Sequence, residues 1–345
     1  MSRVTLQDVA EFAGVSKVTV SYVLNGRADG ARIRQDTQDK VMEAARTLGY
    51  RPNAVARMLA TKRSDMVAIV FQYADYFSHW SSFTSDIMHG VCEVAVERGF
   101  DLMLHTKRST LDDEVANLVD GRADGLLLLR DGDDPLVAEL AAQKFPAVLF
   151  FTRSYLPDVA FVDADNFAGG RMATQHLLEL GHTKIAMIRG SLHSIASNDR
   201  FNGYRDALES AGLAVNPDYQ LVSATPGDNM VELANLLMSS NRPSAVFSWS
   251  DDVAYKAMDV AHGLGLRIPE DLSIVGFDSL EQSNLCSPKL TSVRQPIAEM
   301  AREATNLLVA IINNEPVRRR QVIFPLTLDV RASTAPPFHH KTLTI

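Results

Sequence analysis

Polar side chains that could bind a small molecule follow apolar runs in the second half of the chain. Arg200 comes after the run KIAMIRG, Ser250 and Asp251 follow SAVFSW, and Asp278 follows SIVGF. Because parallel sheets bind ligands at the carboxyl ends of their strands, these residues are candidate ligand contacts. A guanidinium donates hydrogen bonds and a carboxylate accepts them, so Arg200 and Asp278 together suit the hydroxyls of a polyol or the edge of a purine. A helix cap or a surface ion pair is the alternative role for each.

The sequence motifs of the common α/β enzymes are absent from the chain. It contains no G-x-S-x-G and no GxxxxGK[ST], and the run at 263–268 lacks the glycines and the preceding strand of a dinucleotide loop. The acidic clusters at 112–114 and 131–134 have no histidine or spaced carboxylate beside them, which favours solvated surface over a metal site. We therefore expect no enzyme activity, no metal and no cofactor. A sugar- or nucleotide-processing α/β enzyme and a stand-alone solute-binding protein are the alternatives.

Parallel strands are needed to bring the candidate ligand contacts together, and the sequence predicts such strands from Met66 onward. Apolar runs of strand length, MVAIVF, DLMLHT, GLLLLR and AVLFF, alternate with helical patterns such as SDIMHGVCEVAVERG. The alternation restarts with KIAMIRG, QLVSA, SAVFSW and DLSIVGFD. This βαβ series predicts two parallel sheets covered by helices, in two similar subdomains with a ligand cleft between them.

Residues 5–25 have a different pattern, which predicts two short helices separated by a glycine turn. Thr5 caps the first helix, Asp8 completes a capping box three residues later, and Gly14 ends the helix. Ser16 then caps a second helix. The residues predicted to face inward are Leu6, Val9, Ala10, Ala13, Val20, Val23 and Leu24.

The outward face of the second helix has the position and residue types of a DNA-reading surface. It carries Lys17, Val18, Ser21 and Tyr22 near the helix amino terminus, where a helix in the major groove presents its base-reading side chains. A third helix from about Thr37 completes the core, with Val41, Ala44, Ala45 and Leu48 inward. Residues 1–63 hold 11 Lys and Arg against 6 Asp and Glu, a net charge of +5, although the whole chain has −8. The basic residues are therefore concentrated on the suspected DNA-binding unit.

The run T-L-x-D-V-A-x-x-A-G-V-S-x-x-T-V-S-x-V-L-N resembles the amino terminus of the lactose-repressor (LacI/GalR) family of bacterial transcription regulators almost position for position. Further sequence motifs of that family occur at 165–170, 176–186, 200–208, 275–278 and 326–334. The resemblance implies a helix-turn-helix domain at 1–49, a hinge helix at 50–63, and a periplasmic-binding-protein-like effector and dimerisation core at 64–345. It also implies crossings near 163, 292 and 322, with a first subdomain of about 64–162 and 293–321 and a second of about 163–292 and 322–337.

The resemblance further implies that a homodimer binds a pseudopalindromic double-stranded DNA operator. The hinge helices would pair in the minor groove, with Leu59 wedged between base pairs. A plain interdomain linker is the alternative, although linkers are usually Pro-, Gly- and polar-rich. Arg34 stands where a capping serine is common in the family. The expected DNA-contacting residues are Thr5, Ser16, Lys17, Val18, Thr19, Ser21, Tyr22, Asn25, Asn53, Ala56, Arg57 and Leu59.

An effector site in the cleft is the other implication of the resemblance. Thr152 stands where many members carry an aspartate that binds a ligand hydroxyl, and Ala196 where others place a polar contact, which suggests an effector less hydroxylated than a simple sugar. A carbohydrate is nevertheless the leading effector class by resemblance. The expected effector contacts are Phe83, Thr152, Arg200, Asn229, Ser250, Asp251 and Asp278.

The remaining composition is that of an ordinary globular protein. No apolar run reaches the ~18 residues of a membrane span, and the amino terminus lacks the pattern of a signal peptide, so we expect a cytoplasmic location. Cys92 and Cys286 lack CxxC spacing and are expected to be buried structural thiols. The sequence thus predicts an effector-controlled, DNA-binding transcriptional regulator, most plausibly a repressor.

Overall fold

The computed structural model describes residues 4–25, 28, 30–51, 58, 61–72, 82–107, 110–223 and 228–337. They form two compact units, one that ends at Asp65 and one that begins at Met66. Within these ranges, no helix is long and apolar enough to cross a membrane.

Over residues 4–51, the described part of the first unit contains helices α1 (Leu6–Ala13), α2 (Lys17–Leu24) and α3 (Gln35–Thr47). Val9, Val20 and Val41, one from each helix, are completely buried and form the centre of the core. Gly14 ends α1 with a φ of +67°, a left-handed conformation that glycine adopts at little cost. The predicted three-helix arrangement is confirmed, and α3 begins two residues earlier than expected.

The second unit contains two six-stranded sheets, as the alternating pattern predicts. The first sheet is entirely parallel and has the order β11-β5-β4-β3-β1-β2. Its strands are β1 (Met66–Phe71), β2 (Asp101–His105), β3 (Gly125–Leu129), β4 (Ala147–Phe150), β5 (Ala160–Ala164) and β11 (Gln321–Phe324). Central strands such as β3 are buried along their whole length, which explains their continuous apolar runs.

The second sheet has the order β12-β10-β9-β8-β6-β7, and only its edge strand β12 is antiparallel. Its strands are β6 (Ile185–Arg189), β7 (Gln220–Val222), β8 (Ala245–Ser248), β9 (Ser273–Asp278), β10 (Thr291–Arg294) and β12 (Thr327–Asp329). The helices of this unit are α4 (Ser82–Arg98), α5 (Leu111–Leu118), α6 (Pro135–Ala142), α7 (Asn166–Glu179), α8 (Ile195–Ser210), α9 (Met230–Met238), α10 (Asp251–Gly263) and α11 (Ile297–Ile312).

The chain crosses between the two sheets three times, each time slightly later than the sequence suggests. β5 still belongs to the first sheet, so the first crossing follows Ala164. β10 belongs to the second sheet and α11 packs on the first, so the second crossing lies between Arg294 and Ile297. The third lies between Phe324 and Thr327. The first subdomain is hereafter the first sheet with its helices, and the second subdomain is the second sheet with its own.

Candidate DNA-binding surface and effector site

Helix α2 presents an exposed face made of the predicted reader side chains. Lys17, Val18 and Tyr22 are exposed, and Ser21 is half-buried beside them. Val18 has 62% of its surface exposed. The opposite face, with Val20, is fully buried. An apolar and polar surface at the amino-terminal half of a helix is what a major-groove reader needs.

Capping hydrogen bonds fix the amino termini of α1 and α2 and the carboxyl terminus of α2. The Thr5 hydroxyl accepts a bond from the Asp8 amide at 3.3 Å, and the Asp8 carboxylate accepts one from the Thr5 amide at 2.7 Å. The Ser16 hydroxyl accepts a bond from the Thr19 amide at 3.1 Å. Asn25 donates to the Ser21 carbonyl at 2.8 Å at the other end of α2. The side chains of Thr5, Ser16 and Asn25, three of the expected DNA-contacting residues, therefore have a local structural role as well.

The expected hinge contacts Asn53, Ala56, Arg57 and Leu59 lie outside the described residues. Arg34 occupies the amino-terminal cap position of α3 and makes no side-chain capping bond, in agreement with the missing serine.

Arg200 is the central side chain of the candidate effector site. It is 5% exposed, its Nε donates to Asn166 Oδ1 at 2.8 Å, and its Nη1 donates to the Trp249 carbonyl. Its guanidinium lies 3.5 Å from the centroid of the Phe277 ring. Burial lowers the pKa of Arg200, and nearby carboxylates led by Asp278 oppose that effect. Arg200 lies in the second turn of α8, and does not open that helix as the sequence suggests.

Close backbone packing puts Arg200 beside Asn166. Helices α7 and α8 touch at two glycines: a Cβ on Gly170 would lie 2.1 Å from the Arg200 carbonyl oxygen, and one on Gly203 would lie 2.1 Å from the Phe167 carbonyl oxygen. Only glycine allows this approach. The contact brings Asn166, in the first turn of α7, within hydrogen-bonding distance of Arg200.

Asp278 ends strand β9 and is buried next to Arg200. Its Oδ1 accepts a hydrogen bond from Gln295 Nε2 at 2.6 Å, and its backbone φ is 110°, a rare conformation for a residue with a side chain. Burial raises the pKa of Asp278 well above its usual value, while Arg200 opposes the rise. A strained, buried carboxyl beside a buried guanidinium is typical of a functional site.

Asp251 requires a correction, because the structure gives it a structural role. Its side chain is completely buried, and its Oδ2 accepts bonds from the Leu280 amide at 2.8 Å and the Ser283 hydroxyl at 2.6 Å. Its Oδ1 accepts a bond from the Ser292 hydroxyl at 2.6 Å. Protein donors thus use both oxygens, and Asp251 joins the segment that follows β9 to strand β10 instead of facing a ligand.

Ser250 and Asn229 also have local roles in this structure. The Ser250 hydroxyl caps α10 by accepting a bond from the Val253 amide at 3.4 Å, which is the alternative role considered for it. Asn229 is exposed, has a φ of +57° and donates to the Val222 carbonyl. Their predicted effector contacts stay predictions.

Phe83 and Thr152 lie in the first subdomain near the end of β4. The rings of Phe83 and Phe151 meet edge to face, with centroids 5.1 Å apart. Thr152 is 5% exposed, and its hydroxyl has no hydrogen-bond partner among the described residues. Ala196 is a buried residue of α8, where a loop was expected.

The sequence did not single out several polar residues that the structure adds to this site. Asn166 donates to Asp163 Oδ1 at 3.1 Å. Arg153, in the loop after β4, forms an ion pair with Asp199 on α8, so one charge pair joins the two subdomains. Position in the chain could have indicated two of them, because Arg153 follows strand β4 and Asp163 lies near the end of β5. The residues missed are Arg153, Asp163, Asn166, Asp199, Trp249 and Gln295.

Comparisons with known proteins agree with this geometry. Residues 5–53 match the profile "Bacterial regulatory proteins, lacI family", and residues 174–334 match "Periplasmic binding protein-like domain". The chain is 37% identical over 339 residues to the HTH-type transcriptional regulator CelR of Thermobifida fusca, covering 96% of this chain and 98% of the relative. The chain belongs to the LacI family.

Two solved structures extend the similarity to three dimensions. A CelR–cellobiose complex is 35% identical, covers 96% of this chain and 100% of its own, and has a TM-score of 0.72. A lac repressor dimer bound to operator and the anti-inducer ONPF is 27% identical, with coverage of 97% and 100% and a TM-score of 0.82. As a LacI-family member, the chain is a DNA-binding transcriptional regulator and not an enzyme.

Proposed function

We propose that this LacI-family protein is a cytoplasmic homodimeric repressor whose operator affinity is set by a small polar effector, a carbohydrate. The observation that carries the DNA-binding part is the capped α2 helix with its exposed face of Lys17, Val18 and Tyr22. A homodimer would present two such faces to the two halves of a pseudopalindrome. The similarity to a repressor dimer on its operator supports this arrangement.

The domain boundaries follow from the same proposal. Residues 1–49 form the DNA-binding domain, 50–63 the hinge helix, and 64–345 the effector-binding core. Asn53, Ala56, Arg57 and Leu59 would contact the minor groove, where an apolar Leu59 wedge kinks the duplex. Effector binding would shift the two subdomains and thereby the spacing of the paired hinges.

A neutral polyol fits the effector site. Arg200 can donate and Asp278 can accept hydrogen bonds, while the half-buried Trp249 ring adds an apolar face of the kind that sugar rings pack against. The similarity to a CelR–cellobiose complex supports a carbohydrate effector.

Selection of genomic DNA fragments by the purified full-length protein tests the DNA-binding part. At near-physiological salt we expect enrichment of one pseudopalindromic sequence. Tyr22→Ala and Lys17→Ala should change which bases are preferred, because side chains that touch base edges carry the sequence information. Enrichment of no sequence, both alone and with cell metabolites added, would refute the proposal.

A further inference from the structure

Several residues of the effector site carry buried polar atoms without partners. Among the described residues, Thr152 Oγ1, Asp163 Oδ2, Ser197 Oγ and Trp249 Nε1 are buried and make no hydrogen bond. Nearly all buried polar groups in proteins are paired, since an unmade bond costs stability. Four such atoms near the ends of β4, β5, β8 and the start of α8 therefore indicate a place for polar groups of a ligand.

The most expensive of these atoms to bury is Asp163 Oδ2, because it belongs to a carboxylate. Asp163 is 0% exposed. Its Oδ1 already accepts bonds from the Ala164 amide at 2.8 Å and from Asn166 Nδ2 at 3.1 Å, which leaves Oδ2 as the open acceptor.

Asp251 offers a direct comparison, because it is an equally buried aspartate in the same subdomain pair. Protein donors satisfy both of its oxygens with three hydrogen bonds, as expected for a structural carboxylate. Asp163 keeps one oxygen unsatisfied. Natural proteins retain such a local defect mainly at functional sites.

The charges around Asp163 come from both subdomains and nearly cancel. Arg153 of the first subdomain and Arg200 of the second act on its carboxyl, and Asp199 of the second opposes them. Arg153 is already paired with Asp199. Because Arg200 also faces the carboxyl of Asp278, the two guanidiniums are balanced by the carboxyls of Asp199 and Asp278, and the site has no positive excess that would attract an anion. An uncharged hydrogen-bond donor suits it best.

We propose that Asp163 Oδ2 is a specificity-determining effector contact, which accepts a hydrogen bond from a hydroxyl group where the chain crosses between subdomains. This inference rests on the proposed effector function. The Asn166 amide holds Asp163 in place and also accepts from Arg200, so one connected group of side chains positions the donor and the acceptor. Because Ala164 is followed by the first crossing, binding here acts directly on the segment that joins the subdomains.

Calorimetric titration of the full-length protein with cellobiose, glucose and ribose tests this assignment. Asp163→Asn keeps the shape and removes the charge, and Asp158→Asn, an exposed aspartate on the preceding loop, is the matched control. We expect wild type and Asp158→Asn to bind one sugar with equal affinity. Asp163→Asn should bind it about tenfold or more weakly, as lost hydrogen bonds to charged groups do.

Monodeoxy analogues of the bound sugar separate direct contact from packing. With wild type, one analogue should bind about tenfold more weakly than the parent sugar. With Asp163→Asn, that analogue and the parent sugar should bind equally well, because the variant already lacks the hydrogen bond that the missing hydroxyl would make. The proposal is overturned if the loss of affinity caused by each deoxy substitution is the same factor in both proteins, or if wild type binds none of the sugars. Selection of a DNA site does not depend on Asp163 and shows separately whether the DNA-binding function stands.

Discussion

At the scale of single residues, burial decides which polar side chains can serve the effector. The sequence marks Arg200 and Asp278 as candidate effector contacts, because each comes after an apolar strand and carries a group that suits a polyol. It does not mark Asp163, because one aspartate inside the short run AFVDA gives no sign that half of its carboxylate will be left unpaired. Asp251 was misassigned for the same reason: its three donors come from residues 29 to 41 positions away in the chain.

Asp163 should make stability depend on pH. Burial raises its pKa from 3.8 to about 6, so its contribution to folding is present below pH 4 and is lost as pH rises through 6. The full effect corresponds to roughly 3 kcal/mol. We expect the melting temperature of wild type to fall relative to that of Asp163→Asn between pH 4 and 7. If the difference between the two melting temperatures stayed constant over this pH range, the raised pKa of Asp163 would be contradicted.

At the scale of elements, the helix pair α7 and α8 positions the site, and glycine makes the pair possible. The sequence predicted most strands, because β1, β3, β8 and β9 are continuous apolar runs. It gave no strand signal for β5 or β10, where buried polar residues interrupt the pattern: Asp163 lies in β5, and Ser292 of β10 bonds to Asp251. Ser292 is satisfied by a partner distant in the chain and Asp163 only in part by its neighbours, and local periodicity records neither.

Gly170→Ala should destabilise the core by roughly 1–3 kcal/mol, because the new methyl group would collide with the Arg200 carbonyl oxygen and push α8 away. The matched control is Gly263→Ala at the end of α10, where a Cβ would meet nothing within 4 Å. That variant should be neutral or slightly more stable. Thermal unfolding of both variants checks this, and equal melting temperatures would show that the α7–α8 contact is not tight.

At the scale of the whole molecule, the protein combines a basic DNA-binding unit with an acidic core whose chain crosses between two sheets three times. The crossings were predicted within a few residues by resemblance, because strand interiors are marked by apolar runs and strand ends are not. The ion pair between Arg153 and Asp199 could not be predicted, since its partners lie on different subdomains. The relation between the two sheets is a property of packing that no local pattern encodes.

Leu59→Ala should weaken operator binding sharply while salt-sensitive nonspecific binding stays nearly unchanged, because the leucine wedge contributes only where the hinge helices order. Equilibrium binding to the selected site and to unrelated DNA, at the same salt, measures both. Unchanged operator affinity would contradict the hinge proposal.

The central claim is that a small polar molecule in the core controls operator affinity. Its most direct test is the operator dissociation constant of the full-length protein with and without saturating cellobiose, together with the cellobiose dissociation constant with and without operator. We predict that both change by the same factor, since a tenfold change in one requires a tenfold change in the other, a coupling of about 1.4 kcal/mol. Cellobiose binding that leaves operator affinity unchanged, or no cellobiose binding at all, would contradict this account of the site.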